Sequence, residues 1–158
     1  MGDSQRLQTG LTAAESLDLL GSVSLGRIGF TSKALPVVRP VNHIIDNGSI
    51  IIRSHEGAAI VPASRADDGA VVAYEADEID LLGHLGWSVV ITGVARLVHD
   101  PDEAARFRGL LRSWSDAQPD YVIRISPELV TGFRPTAGNS ENPDAARFAD
   151  ETLSRPAT

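Results

Sequence analysis

The sequence predicts a mainly β protein: six antiparallel strands that close, or nearly close, into a barrel, with short helices at the connections. Three observations carry this. Apolar runs of strand length follow one another through tight turns, as in LGRIGFTSKALPVVRPVNHIIDNGSIIIRSHEGAAI from Leu25 to Ile60. Asn47-Gly48 stands between two such runs, and it is the strongest short hairpin signal because both turn positions tolerate positive φ. Strands do not alternate strictly with helices, which disfavours a doubly wound parallel sheet.

Taken in order, residues 1–10 read as a flexible lead-in. Thr12 with Glu15 three residues later is a capping box, so a helix should cover 13–20 and bury Leu17 and Leu20. Ser24–Thr31 is a strand, Ser32–Leu35 a turn and Pro36–Ile45 a second strand, with Pro40 placing it at a sheet edge or a bulge. Ser49–Ser54 follows, and Ile50, Ile51 and Ile52 imply burial on both faces. Gly57–Ser64 reads as a short helix, Ala70–Ala76 as a fourth strand, and Glu75–Asp80 with LLGHLG as a connector. Trp87–Val98 is a fifth strand, with Gly93 a bend or bulge.

A helix then starts at an Asp100 cap, with Pro101 in its first position and Asp102 and Glu103 at its positive end. Phe107, Leu110, Leu111 and Trp114 recur at helical spacing as its buried stripe. Tyr121–Arg134 is the last strand, bent near Pro127. The domain is therefore 11–134, followed by a polar tail, 135–158, in which Asn142-Pro143 opens a short helix over 143–153.

A chain of 158 residues is one domain with tails. Only 5% of it is aromatic, so Val, Ile, Leu and Ala must build the core. There is no cysteine, hence no disulfide, thiolate metal site or thiol nucleophile. A net charge of −7 argues against sequence-independent nucleic-acid binding. No apolar run approaches the ~20 residues that span a bilayer. MGDSQRLQTG lacks the basic start and apolar core of a signal peptide, so a cytoplasmic protein with no membrane partner is expected. Lys33 is the only lysine beside thirteen arginines, a bias that base composition accounts for.

The polar groups on the early strands are the candidate site. Arg39 can hold a phosphate or carboxylate, or pair with an acid across a dimer interface. Arg53 ends the isoleucine run, where an unpaired buried charge would not persist, so a ligand contact is expected. Asn42 can bond a ligand or satisfy backbone groups. His43 reads as a half-buried structural histidine, while His55 lies beside Arg53 and Ser54 before a helix start. His84 and His99 read as loop residues, and no HxxxH or HExxH motif is present. Asp77, Glu78 and Asp80 fit a solvated connector. Trp87 can stack on a ring or fill a dimer core. No phosphate-binding glycine loop and no GxSxG element occurs.

The segments GRIGF, VVRPVNHIIDNG, IIIRSHEG, VAYEADEID, GWSVVITGVARLV and YVIRISPELVTG, in this order, resemble the pyridoxamine 5′-phosphate oxidase-like family, in its small actinobacterial-type branch. The resemblance implies a six-stranded antiparallel split β-barrel and a homodimer with shared cofactor sites. It implies FMN as the ligand, with a deazaflavin cofactor or haem in some branches. Arg39, Pro40, Val41 and Asn42 would pass the flavin ring, and Arg53, Ser54 and His55 would meet the ring edge and the ribityl-phosphate side. Gly57-Ala58-Ala59 stands where many relatives read Gly-Ser-Lys, so the hydroxyl and ammonium that bind phosphate are gone; Gly57 and Ala59 retain only backbone groups. Trp87 and Ser88 belong to a segment that would approach the cofactor from the other subunit.

These readings imply an FMN-dependent oxidoreductase passing hydride to a small acceptor. The alternatives are a deazaflavin-dependent reductase and a non-catalytic module binding flavin, haem or another small ligand.

Overall fold

The computed structural model of the chain describes residues 8–55, 58–83, 85–111 and 120–135. Its elements are β1 (Gln8–Leu11), α1 (Ala13–Ser22), β2 (Leu25–Ser32), β3 (Leu35–Asp46), β4 (Ser49–His55), α2 (Ile60–Ser64), β5 (Ala70–Asp80), β6 (Leu85–Leu97), α3 (Pro101–Leu110) and β7 (Asp120–Pro135). The sheet order is β1-β7-β4-β3-β2-β5-β6, and β6 also pairs with β7. That last pairing closes six strands into an antiparallel ring, the split barrel expected from the sequence.

Local chemistry explains most boundaries. The Thr12 hydroxyl accepts from Glu15 N–H and the Glu15 carboxylate accepts from Thr12 N–H, so α1 opens on its capping box. Asn47 and Gly48 take φ of 48° and 77°, closing β3 onto β4 with Asp46 opposite Ser49. Gly93 sits at the register shift of β6, where a Cβ would lie 2.3 Å from Ser126 C=O. Asp100 accepts from the N–H groups of Asp102 and Glu103 at the start of α3.

Three expectations are corrected. The ring carries a seventh strand, because Gln8–Leu11, placed in the lead-in, pairs with Gly132–Pro135. The acidic stretch Glu75–Asp80 continues β5 and pairs with Leu85–Val90, since exposed strand positions accept charge freely. The turn expected at Ser32–Leu35 forms, with Ser32 opposite Leu35 and its two central residues, Lys33 and Ala34, both at positive φ. Leu110 is 59% exposed, so the buried stripe of α3 is Ala104, Phe107 and Leu111; Trp114 lies outside the described residues, as does the predicted helix 143–153.

Two cores result. Ile28, Phe30, Tyr74, Val89, Ile91, Ile50, Ile52, Ile123 and Ile125 point into the ring, and Leu20 of α1 plugs it. On the outer side of β4 and β7, Ile51 and Val122 meet Ala104 and Phe107 of α3 and Leu111, which caps its C-terminus. The isoleucine run is thus buried on both faces, each fully buried side chain contributing about 1.5–3 kcal/mol.

Candidate site at the parting of two strands

Strands β3 and β4 pair from Asp46↔Ser49 to His43↔Ile52, and there they part. Beyond that point β3 runs with β2, from Asn42↔Leu25 to Leu35↔Ser32. Strand β4 runs instead with β7, through Arg53↔Val122, Ser54↔Tyr121 and His55↔Asp120. Past His43 and Ile52 the two strands no longer pair with each other. Arg39, Pro40, Val41 and Asn42 form one lip, and Arg53, Ser54 and His55 form the other. The nominated residues of both strands therefore lie past the point where β3 and β4 part.

The open lip has a defined hydrogen-bonding parity. His43 N–H donates to Ser24 C=O at 2.9 Å, so odd-numbered residues of β3 turn their peptide groups to β2 and even-numbered ones face the cleft. Val38 and Asn42 offer both N–H and C=O there, while Pro36 and Pro40 offer only C=O. Proline at these positions removes no ladder bond, which is how this strand tolerates two of them.

A buried chain of polar groups holds that lip. His43, 2% exposed, donates through Nε2 to Leu20 C=O at 2.7 Å. A carbonyl can only accept, so Nδ1 is the acceptor and the Tyr74 hydroxyl donates to it at 2.6 Å. The two rings meet edge to face at 5.2 Å. Burial pushes the His43 imidazole below its ordinary pKa, and burial, with the Glu75 charge, pushes the Tyr74 phenol up. Gly26, between β3 and β5, makes the contact possible: a Cβ there would lie 2.5 Å from the Tyr74 hydroxyl. Sequence reasoning made His43 structural, which holds, but missed Tyr74; the glycine opposite Val41 was the available signal.

The two arginines differ sharply. Arg53 binds the Asp120 carboxylate through Nε and Nη2, and its Nη1 donates to Leu111 C=O at 2.7 Å and Arg108 C=O at 3.2 Å. Arg108 adds a 3.0 Å bond to Asp120. Arg53 thus ties β4 to β7 and caps the last carbonyls of α3. Arg39 is exposed, and among the described residues it donates to Val38 C=O at 3.4 Å. Ser54 is half-buried and His55 exposed. The helix after this lip is a single turn that begins at Ile60, and Ala59 caps it with no side-chain bond; Gly57 lies outside the described residues.

Trp87 and Ser88 are not part of this opening in one subunit. Trp87 is buried in the ring core, Ser88 is half-buried on the outer face, and β2 and β5 separate both from the cleft. A shallow groove of about 390 Å³ lies instead among Ser22, Val23, Ser24, Leu25, Arg27 and Asp77. Its Arg27 bonds Glu75 at 3.2 Å. Partial burial and the neighbouring Asp77 push the Glu75 carboxyl up, with Arg27 opposing. Among the described residues no group of three His, Asp or Glu side chains could hold a metal ion, and no helix is long and apolar enough to cross a membrane.

An antiparallel split barrel with an unpaired strand edge at its opening defines the class of protein. Its lineage is equally specific: residues 12–134 match the pyridoxamine 5′-phosphate oxidase family, and the chain belongs to that family. It is 48% identical over 122 residues to the uncharacterised protein Rv0080 of Mycobacterium tuberculosis, covering 76% of this chain and 80% of that one. The solved structure of an FAD-binding protein from Mycobacterium smegmatis superimposes with a TM-score of 0.68 at 36% identity, covering 82% of this chain and all (100%) of the other. A Corynebacterium glutamicum structure named for pyridoxamine 5′-phosphate oxidase gives 0.69 at 33% identity, covering 87% and 100%.

Proposed function

We propose that the chain is a flavin-binding oxidoreductase that works as a homodimer, holding FMN at the β3–β4 cleft and passing hydride to a small acceptor. The single observation that carries this is the unpaired edge of β3. A planar heterocycle with an amide-like N–H and C=O is the complement of the peptide groups at Asn42 and Val38. The relative from M. smegmatis that binds FAD supports a flavin as that heterocycle.

The residues fit the ring better than the phosphate. Arg53 is committed to Asp120 and α3, Ala58-Ala59 supply no polar side chain, and Arg39 is, among the described residues, the cation beside Asn42 without an acidic partner. One charge-assisted hydrogen bond contributes roughly 1.5–3 kcal/mol. Losing one weakens binding about 10- to 150-fold, so micromolar affinity is expected. The flavin supplies the redox chemistry when bound; the chain's own groups orient it and place a positive charge beside it. The outer sheet face, with Val38, Val71, Val90, Leu129 and Phe133 exposed, is the surface for the second copy. Ser88, opposite Phe133, would reach the partner's cleft by that route.

The bare phosphate side also favours a second reading, a non-catalytic flavin or other small-ligand module; a deazaflavin reductase would need more cations than the lip offers, and among the described residues the one buried histidine, His43, is committed to Leu20 and Tyr74. Fluorescence titration tests the proposal. FMN should be quenched at micromolar protein, Arg39→Ala should weaken it about 10- to 100-fold, and a reduced flavin should be reoxidised by an acceptor in turnover. No quenching by FMN or FAD at roughly 100 μM protein, far above the expected Kd, refutes flavin binding. Binding without turnover selects the module.

A further inference from the structure

The Tyr74 hydroxyl has one proton and two acceptors within reach. Nδ1 of His43 lies 2.6 Å from it, and Val41 C=O lies 3.4 Å away. While His43 is neutral the hydroxyl proton serves Nδ1, because Nε2 carries the ring's single N–H and donates it to Leu20 C=O. Val41 stands opposite Gly26 and turns its C=O toward β2, by the same parity that aims His43 N–H at Ser24 C=O. The N–H of that peptide group belongs to Asn42 and points the opposite way, to the unpaired edge of β3. Asn42 is the first residue of β3 past its last pairing with β4, His43↔Ile52. One buried hydroxyl therefore sits behind the donor that this edge offers. A Cβ at position 26 would lie 2.5 Å from that hydroxyl, so only glycine leaves it room to turn.

We propose that His43 and Tyr74 form a two-position proton switch acting on the Asn42 N–H. A proton taken from solvent onto Nδ1 turns that atom from acceptor to donor. It then donates to the Tyr74 oxygen, and the hydroxyl, keeping its own proton, swings onto Val41 C=O. A carbonyl that accepts a further bond polarises the N–H of its own peptide group, so Asn42 becomes a stronger donor in acid. The charges about the pair come from two strands: β5 brings Glu75 and Asp77, and β2 brings Arg27, which lies 3.2 Å from the first and 3.9 Å from the second. The acids of α1, Glu15 and Asp18, are exposed, as is Arg39 on β3. Strands β4 and β6 present the apolar Ile52 and Ile91, opposite His43 and Tyr74. Burial is thus the dominant influence on the imidazole, and the switch turns as pH falls below 6.5. A ring carbonyl held at Asn42 N–H is bound more tightly in acid; that consequence rests on the flavin reading, and the switch itself does not.

Amide NMR of the ligand-free full chain between roughly pH 8 and 5 tests the switch. In the parent, the Asn42 amide proton should move downfield on one titration curve that shares its midpoint with the His43 ring protons. The Val38 amide, on the same edge, should stay in place. Tyr74→Phe should leave His43 titrating and hold the Asn42 amide still, an uncoupling that a merely structural hydroxyl does not produce. His43→Leu should fix the Asn42 amide at its acid position throughout, because the hydroxyl then has Val41 C=O as its acceptor; this variant carries the test if Tyr74→Phe folds poorly. A His43 that stays neutral until acid unfolding overturns the proposal. So does an Asn42 amide that stays still in the parent, or one that still follows His43 in Tyr74→Phe. FMN titration at both ends of the range tests the consequence separately: affinity independent of pH beside an intact amide curve removes the flavin placement and leaves the switch.

Discussion

Removing one hydroxyl tests the polar chain that holds the cleft lip. Tyr74→Phe keeps the buried ring, so no cavity forms, but it takes the donor from His43 Nδ1. A buried acceptor left without a partner costs about 1–3 kcal/mol. For a domain of this size that is about 3–10 °C in Tm. The pH dependence has a fixed sign. Folding depresses the His43 pKa, so the unfolded chain binds the proton more readily. The contribution of neutral His43 is full above the unfolded value near 6.5 and is lost as pH falls through that value toward the folded one. Thermal melts between roughly pH 5 and 8 should show this slope in the parent, and His43→Leu should flatten it. A Tyr74→Phe melt within about 1 °C of the parent, or an acid slope that survives His43→Leu, refutes the assignment.

Two further substitutions probe the neighbouring contacts. Arg53→Ala leaves Asp120 largely buried with Arg108 as its remaining partner, so about 3 kcal/mol of stability should be lost by denaturant unfolding. Flavin affinity should change far less than with Arg39→Ala; a larger loss of affinity than of stability would return Arg53 to the ligand site. Gly26→Ala forces a Cβ against the Tyr74 hydroxyl and Glu75 C=O, at 2.5 and 2.7 Å, and should cost about 1–3 kcal/mol. It should also erase the acid slope assigned to His43, and a melt and slope like the parent's would contradict the packing described for this glycine.

Much of the fold was legible because its signals are local. The Thr12–Glu15 box, Asn47-Gly48, Asp100-Pro101 and the triple isoleucine each act within a few residues, and each formed as expected. The strand at Gln8–Leu11 was not legible, because its pairing with β7 imposes it on a sequence with no preference of its own. The nominated residues of β3 and β4 lie past the point where the two strands part, and their chemical states differ. Arg39 and Arg53 look alike as residue types at strand positions; only Asp120 and the end of α3, 55–67 residues further along, separate a clamp from a free cation.

The sequence by itself determined the antiparallel barrel, its family and the order of its hairpins. Periodicity and turn chemistry are written residue by residue and need no distant partner. Tertiary structure alone decided where β3 and β4 part, which arginine is committed, that Trp87 turns into the core, and that His43 meets Tyr74 across a glycine. Each of these depends on registers between strands far apart in the chain, and a register is a property of the closed ring, not of any one segment.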